Sequence, residues 1–313
     1  MSRQVQPDPT GGETGPELGG PQYLGVRRDV WILVAYGLVN LLILIALRPA
    51  PNADWVTSWW PLEGWGSDVY EHPWRYSPLL LPVAALMVSG GPWVLGIAHL
   101  VALATLARLG VWMIWLVALS AFFWVDLLVG NVFTFVAVAG AFAIAGSRGG
   151  ALLYLLLSVL MPRPVQIPLV IWLVWRRPEL RIPFALIFVV HAVGVIASGL
   201  AGPWMGSLVA SMSQVSEPFA LGPGRLLGAW WLVIGIPVAA LMVWRGSARV
   251  AALAGLVASP YLLPQHLLMG VIAVPPAPGA EPRQAGSRCR APGRERGSDA
   301  LHGRGGIDVG PRP

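Results

Sequence analysis

Long uncharged stretches dominate this sequence. Apolar segments recur at 30–47, 76–89, 93–108, 111–128, 131–146, 151–175, 183–200, 226–244 and 249–272. A helix needs roughly 20 mostly apolar residues to cross the hydrocarbon core of a bilayer. Only 12% of the residues are charged, whereas soluble domains average about 25%. The sequence therefore predicts an integral membrane protein, an all-α polytopic transmembrane helical bundle of about nine spans.

Arginine placement predicts the orientation, because short cytoplasmic loops carry an excess of basic residues. Arginines at 27–28, 176–181 and 245–249 mark three cytoplasmic points. The loops at 48–75 and 201–225 then lie on the outer face of the plasma membrane. Arg108 and Arg148 contradict this alternation, since it places both of them on the outer side.

The two ends of the chain differ from its centre. Residues 1–29 are polar and rich in Gly and Pro, lack a signal-peptide core, and are predicted to form a disordered cytoplasmic leader. Residues 273–313 form a Pro/Gly/Arg-rich tail that we expect to be disordered; a GC-rich gene read out of frame also gives this composition, which resequencing would test. The transmembrane domain is then 30–272. No basic stripe is interleaved with aromatic residues, so we expect no nucleic-acid partner.

The segment 52–82 concentrates acidic residues. Asp54, Glu63, Asp68 and Glu71 lie in it, among several tryptophans. One interpretation is an interfacial loop with solvated carboxylates and aromatic anchors. The other is that Asp54, partly buried among tryptophans, takes the proton of a sugar hydroxyl while that hydroxyl attacks an anomeric carbon.

A series of short motifs runs along the chain in a recognisable order. Asp54-Trp55 is followed by "GSDVY", which ends at Tyr70, and by "WRYSPLLLP", which contains Tyr76. Further on come "LLVGNVFTF", then "LMPRPVQIPLVIWLVWRRP" with Arg163, and "ASPYLLPQHLL" with His266. Their order over 30–272 resembles glycosyltransferase family 87, the polyprenol-phosphate-mannose-dependent mannosyltransferases with the GT-C fold.

The resemblance implies a GT-C-like bundle with an outer loop after the first span. It implies Asp54 as the catalytic base and a set of substrate-binding residues: Asp68, Tyr70, Tyr76, Arg163 and His266. Two departures from the family are a glutamine, Gln265, where a histidine is common, and a chain that lacks the family's further spans.

Several of these residues have a second interpretation. Asp68 is also explained as an ordinary loop residue before a turn. An arginine inside an apolar run is a functional candidate by default, but Arg163 can also snorkel to the membrane interface. His266 is equally explained as an interfacial histidine. We expect His191 to form hydrogen bonds inside the bundle, and we place Asp126, near a helix end, outside the site.

The expected activity is inverting transfer of a hexose, with mannose the expected sugar. The donor is a polyprenyl-phosphate sugar, used as a co-substrate, and the acceptor is a glycolipid or a cell-envelope glycan. No Asp-x-Asp pair, phosphate loop or zinc signature occurs, so we expect no metal and no other cofactor. Two alternatives stay open. One is a transporter or flippase, which would place carboxylates at the membrane midplane; the other is a truncated, inactive remnant of such a transferase.

Overall fold

In the part of the chain that the structure describes, every regular element is helical apart from one minimal strand pair. The computed structural model describes residues 22–23, 26–51, 69–70, 75–212, 222–228 and 230–274. Strands β1 (Gln22–Tyr23) and β2 (Val26–Arg27) pair antiparallel. The helices are α1 (Arg28–Leu47), α2 (Leu81–Ser89), α3 (Pro92–Thr105), α4 (Val111–Ala118), α5 (Ala121–Val129), α6 (Phe133–Ile144), α7 (Arg148–Leu160), α8 (Ile167–Arg176), α9 (Arg181–Ala197), α10 (Ala201–Met212), α11 (Pro223–Leu227), α12 (Trp230–Arg245), α13 (Ala248–Ala258) and α14 (Leu268–Ala273).

Within the described residues, the helices support a membrane protein. Three helical stretches are long and apolar enough to cross a bilayer: Arg28–Leu47, Pro92–Leu109 and Pro178–Ala197. The second and third consist of α3 and α9, each with an adjoining 3-10 turn. A fourth candidate is the pair α4 and α5, which is bent by 64°. Other apolar helices have only 10–17 residues, because glycine and proline interrupt the apolar segments. The expected count of about nine spans therefore stays a prediction.

Two helices occupy the centre of the bundle. Nearly every side chain of α6 is buried, and this helix packs against α7 and α14. Helix α13 packs against α12, α8 and α14. Its contact face consists of small residues, Ala251, Ala252, Ala254 and Gly255, all of them buried. Small side chains let neighbouring backbones approach closely, which is how helices associate where no water drives burial.

Arginines collect at one end of the bundle, here called the arginine-rich end. Helix α7 begins there at Arg148, and α8 ends there at Arg176. The Arg181 guanidinium donates to the carbonyl oxygens of Val174 and Trp175 at 3.1 and 3.0 Å. The last carbonyls of a helix have no partner inside it, so this arginine satisfies two of them at the end of α8.

The charge of Arg148 acts on Glu179, which lies between α8 and α9. Arg148 therefore lies on the same side of the bundle as Glu179, whereas simple alternation puts it on the other side. Alternation counts every apolar segment as a full span, and several of the described helices are short.

The opposite end of the bundle, here called the site end, carries the predicted site residues that the structure describes, Tyr70, Tyr76, Arg163 and His266. Helix α7 runs from the arginine-rich end to Leu160, so the following segment, 161–166, lies at the site end. The Ser77 amide donates to the Leu160 carbonyl oxygen at 2.8 Å, which holds the start of α2 there. The turn 130–132, between α5 and α6, and the segment 259–267, between α13 and α14, complete this end.

Candidate functional site

A chain of hydrogen bonds at the site end joins three separate parts of the sequence. The Tyr70 hydroxyl donates to the Tyr76 carbonyl oxygen at 3.0 Å. The Tyr76 hydroxyl donates to Asn131 Oδ1 at 3.4 Å and accepts from Arg163 Nη2 at 3.4 Å. The Arg163 guanidinium also lies over the Tyr76 ring, 5.3 Å from its centroid. Tyr76 is thus the residue on which the group is centred.

Local sequence explains why Tyr76 is held so firmly. It precedes Ser77, whose side chain accepts from the Leu79 amide at 3.2 Å and caps the turn Pro78–Leu80. Ser77 is fully buried, and its hydroxyl lies 2.8 Å from His191 Nε2 on α9. A capped turn tied to α9 leaves the Tyr76 backbone little freedom, so its ring direction is set before any ligand binds.

Arg163 lies in the break between α7 and α8. Prolines 162 and 164 flank it, and a proline cannot continue a helix on its N-terminal side. The Arg163 amide donates to Gln166 Oε1 at 3.1 Å, which closes the turn Pro164–Gln166. This turn packs directly on Gly255 of α13, where an added Cβ would lie 2.0 Å from the Val165 carbonyl oxygen. Only glycine allows this approach.

His266 lies deep in the site end, between α13 and α14. The Leu263 amide donates to its Nδ1 at 3.3 Å, so the neutral imidazole carries its proton on Nε2. The ring packs against Phe133 at 4.9 Å and Tyr261 at 6.1 Å between centroids. Phe133 follows Asn131 by two residues, so His266 lies near the turn whose Asn131 accepts from the Tyr76 hydroxyl.

A large apolar cavity opens next to Arg163. Its volume is about 1000 Å³, at the upper end of the usual range for ligand pockets. It follows α8 from Ile167 to Trp175, about 12 Å at 1.5 Å per residue. Its apolar walls come from α8, α9, α10 and α12 and include Val170, Ile171, Phe184, Phe188, Val195, Ile196, Met205, Leu208, Ile236, Ala239 and Val243.

The polar groups of the cavity lie at its site end. Arg163, Gln166 and His191 all line it. Gln166 is 1% exposed, and its Nε2 has no hydrogen-bond partner among the described residues. A buried amide without a partner costs free energy, which a ligand oxygen in this position would offset. The cavity therefore combines a long apolar part with a cationic, hydrogen-bonding end.

The structure brings four of the predicted site residues together: Tyr70, Tyr76, Arg163 and His266. Asp54 and Asp68 lie outside the described residues. Sequence reasoning did not single out Gln166. It is a polar residue between two prolines in an apolar segment. That pattern would have indicated a functional candidate. No group of three or more His, Cys, Asp or Glu side chains that could hold a metal ion occurs in the described part of the chain.

Comparisons with known proteins do not assign a family to this arrangement. No protein-family profile, curated protein or solved structure matches the chain. The chemistry available at the site end is that of its own side chains. These are a fixed guanidinium, two tyrosine hydroxyls, a buried imidazole and an apolar cavity, which together suit an amphipathic anion.

Proposed function

We propose that this chain is an integral membrane glycosyltransferase with a GT-C-like fold. It transfers a hexose, mannose in the simplest case, from a polyprenyl-phosphate donor to a glycolipid or a cell-envelope glycan. One observation carries the proposal: the 1000 Å³ apolar cavity has Arg163 at its polar end. The motif order that resembles glycosyltransferase family 87 supports it independently.

Arg163 suits the phosphate of such a donor. A guanidinium donates two parallel hydrogen bonds to a phosphate and keeps its charge at every physiological pH. Its contacts with the Tyr76 ring and hydroxyl orient its plane before the ligand arrives. Preorganised donors stabilise developing charge without reorganising during the reaction. Arg163 would therefore stabilise the phosphate most strongly as the lipid phosphate leaves.

The cavity suits the lipid part of the donor. A polyprenyl chain is apolar throughout, as are the cavity walls along α8, α9 and α12. Because the surrounding bilayer is also apolar, the chain would gain little free energy from burial alone. Affinity would come mainly from the phosphate and the sugar, while the walls of the cavity fix the direction of the chain.

In the proposed reaction, Asp54 accepts the proton of an acceptor hydroxyl. The hydroxyl oxygen attacks the anomeric carbon, the bond from that carbon to the phosphate oxygen breaks, and its electron pair leaves with the polyprenyl phosphate. The sugar inverts its configuration because attack and departure occur on opposite faces. Tyr70, whose hydroxyl donates to the Tyr76 carbonyl oxygen, follows Asp68 by two residues in the sequence. With the arginine-rich end in the cytoplasm, the site faces outward.

Sugar transfer from radiolabelled polyprenyl-phosphate-mannose tests the proposal. Membranes that contain the wild-type chain should label a lipid or glycan acceptor, and Asp54→Asn should abolish this at equal expression. Glu63→Gln is the matched control, since it removes a carboxylate from the same segment. Transfer that survives Asp54→Asn but not Asp68→Asn would assign the base to Asp68. No transfer by the wild type from any polyprenyl-phosphate hexose would refute the activity.

A lipid flippase is the second candidate. The cavity begins at Arg163, before α8, and extends along α8 to Trp175. Trp175 directly precedes Arg176 at the arginine-rich end. A path that reaches both ends is what lipid translocation requires. Movement of fluorescent polyprenyl phosphate across proteoliposomes, without sugar transfer, would favour this function. Transfer without movement would exclude it.

A further inference from the structure

A histidine and an aspartate form a buried pair below the site end. His99 of α3 and Asp126 of α5 are both fully buried, and Nε2 of the histidine lies 3.2 Å from Oδ2 of the aspartate. The same Oδ2 accepts from the Thr134 amide of α6 at 2.6 Å. Asp126 Oδ1 has no partner among the described residues. One carboxylate oxygen therefore ties three helices together.

The geometry requires a shared proton in this pair. His99 Nδ1 lies 2.8 Å from the Leu95 carbonyl oxygen; a carbonyl only accepts, so Nδ1 carries a proton. A second proton must then lie between Nε2 and Oδ2, on either the imidazole or the carboxyl group, and the pair is neutral in both cases. Asparagine at 126 cannot replace this arrangement. Its oxygen cannot donate to Nε2, and its amide nitrogen cannot accept from Thr134.

The pair directly borders the turn that carries Asn131. The Gly130 and Asn131 amides donate to the Asp126 carbonyl oxygen at 3.1 and 2.9 Å. Gly130 has φ 82°, a left-handed conformation that favours glycine. The His99 imidazole also interacts with the Asn131 backbone. Thr134, the second residue of α6, is held by the Asp126 carboxylate. Asp126 and His99 thus hold both ends of the segment 130–134.

Asn131 connects the segment 130–134 to Tyr76. Its Oδ1 accepts from the Val132 amide at 2.7 Å and from the Tyr76 hydroxyl at 3.4 Å. The geometry points to a positioning role for the His99–Asp126 pair. The pair holds the segment 130–134, so that Asn131 fixes the Tyr76 hydroxyl against Arg163. This inference goes beyond the proposed function and holds whatever ligand Arg163 binds.

Fluorine NMR of the purified chain labelled with 3-fluorotyrosine tests the inference. The sequence has six tyrosines, and Tyr76→Phe assigns the Tyr76 resonance by its loss. We expect Asn131→Leu to shift this resonance, and Asp126→Asn to shift it in the same direction. A Tyr76 resonance that keeps its wild-type position in Asp126→Asn, or in Asn131→Leu, would overturn the inference.

A variant that only lowers the stability of the fold has to be distinguished from one that also moves the Tyr76 hydroxyl. Asn40→Leu is the matched control, because Asn40 Oδ1 accepts from the Ala121 amide at 2.9 Å and so caps the other end of α5. It should lower the melting temperature without moving the Tyr76 resonance. The double variant His99→Leu/Asp126→Leu leaves no unpaired buried charge, so it should recover stability while the resonance stays shifted. A resonance that returns to its wild-type position together with stability would show a purely structural role. If Asp126→Asn does not fold, this double variant decides the question.

Discussion

Replacing Gly255 with alanine should displace the segment that carries Arg163. The alanine Cβ would lie 2.0 Å from the Val165 carbonyl oxygen and 3.0 Å from its carbonyl carbon. Both are backbone atoms, so no side chain can rotate away. Ordinary contact begins at 3.4 Å, so α13 and the turn Pro164–Gln166 must separate by about 1.4 Å, the difference between these two distances.

This separation has two measurable costs. Overpacking of a close-packed site lowers the free energy of unfolding by about 1–3 kcal/mol. The Arg163 Nη2 to Tyr76 hydroxyl distance is already 3.4 Å, at the long limit of a hydrogen bond, so a shift of about 1 Å breaks it. Misplacement of a catalytic group by 1 Å costs up to about 100-fold in rate. A 100-fold loss in rate corresponds to about 2.7 kcal/mol, so we expect the transfer rate to fall by up to about 100-fold alongside the loss of stability.

The assay compares melting temperature and initial transfer rate in the same purified preparations. Gly96→Ala is the matched control: it lies within α3, and an added Cβ there meets nothing within 4 Å. It should keep wild-type transfer and gain about 0.5–1 kcal/mol, because alanine is the better helix former. Wild-type transfer by Gly255→Ala, at any melting temperature, would refute the argument that this contact positions Arg163.

Three other substitutions distinguish residues that bind the ligand from residues that only stabilise the fold. Tyr76→Phe removes the hydroxyl between Asn131 and Arg163 and should weaken binding of polyprenyl phosphate by about 0.5–1.5 kcal/mol, measured by competition; unchanged affinity would contradict the site. His266→Leu leaves the partly buried amide of residue 263 without its acceptor and should lower the free energy of unfolding by about 0.5–1.5 kcal/mol, measured by chemical denaturation; no change would show that this hydrogen bond is unimportant. Trp172→Phe removes a 2.9 Å bond to the Gly246 carbonyl oxygen at the arginine-rich end. It should reduce thermal stability but leave lipid affinity unchanged, and a loss of affinity would contradict the separation of the two ends.

The sequence was sufficient for the helical class, whereas the assignment of the site residues stays a prediction. Apolar segments predicted helices, and the structure has helices in each of them. Prolines flank Arg163 on both sides, and α7 ends at Leu160 before α8 begins at Ile167. The convergence of Tyr76, Arg163 and His266 was expected from motif order. Motif order does not give the distances between side chains. In the structure, Tyr76, Arg163 and His266 lie in three separate segments between helices.

Other features depend on packing that no local pattern records. His99 and Asp126 are 27 residues apart, on helices whose other residues are apolar, and neither spacing nor composition pairs them. Asp126 was placed outside the site as a helix-end residue; the structure shows it tied to the turn beside Tyr76. Helix lengths also escaped prediction, because hydropathy does not distinguish one long span from two short helices separated by a tight turn.

Cross-linking with a photoactivatable polyprenyl phosphate tests the central claim most directly, since it reports where the lipid lies. The probe carries its reactive group on the first isoprene units, and adducts are mapped by mass spectrometry. We expect adducts on the cavity walls near Arg163, among Ile167, His191 and Trp204, and their loss in Arg163→Gln but not in Arg249→Gln. Adducts confined to the exposed surface of α1, or unchanged in Arg163→Gln, would contradict a lipid-phosphate site in this cavity.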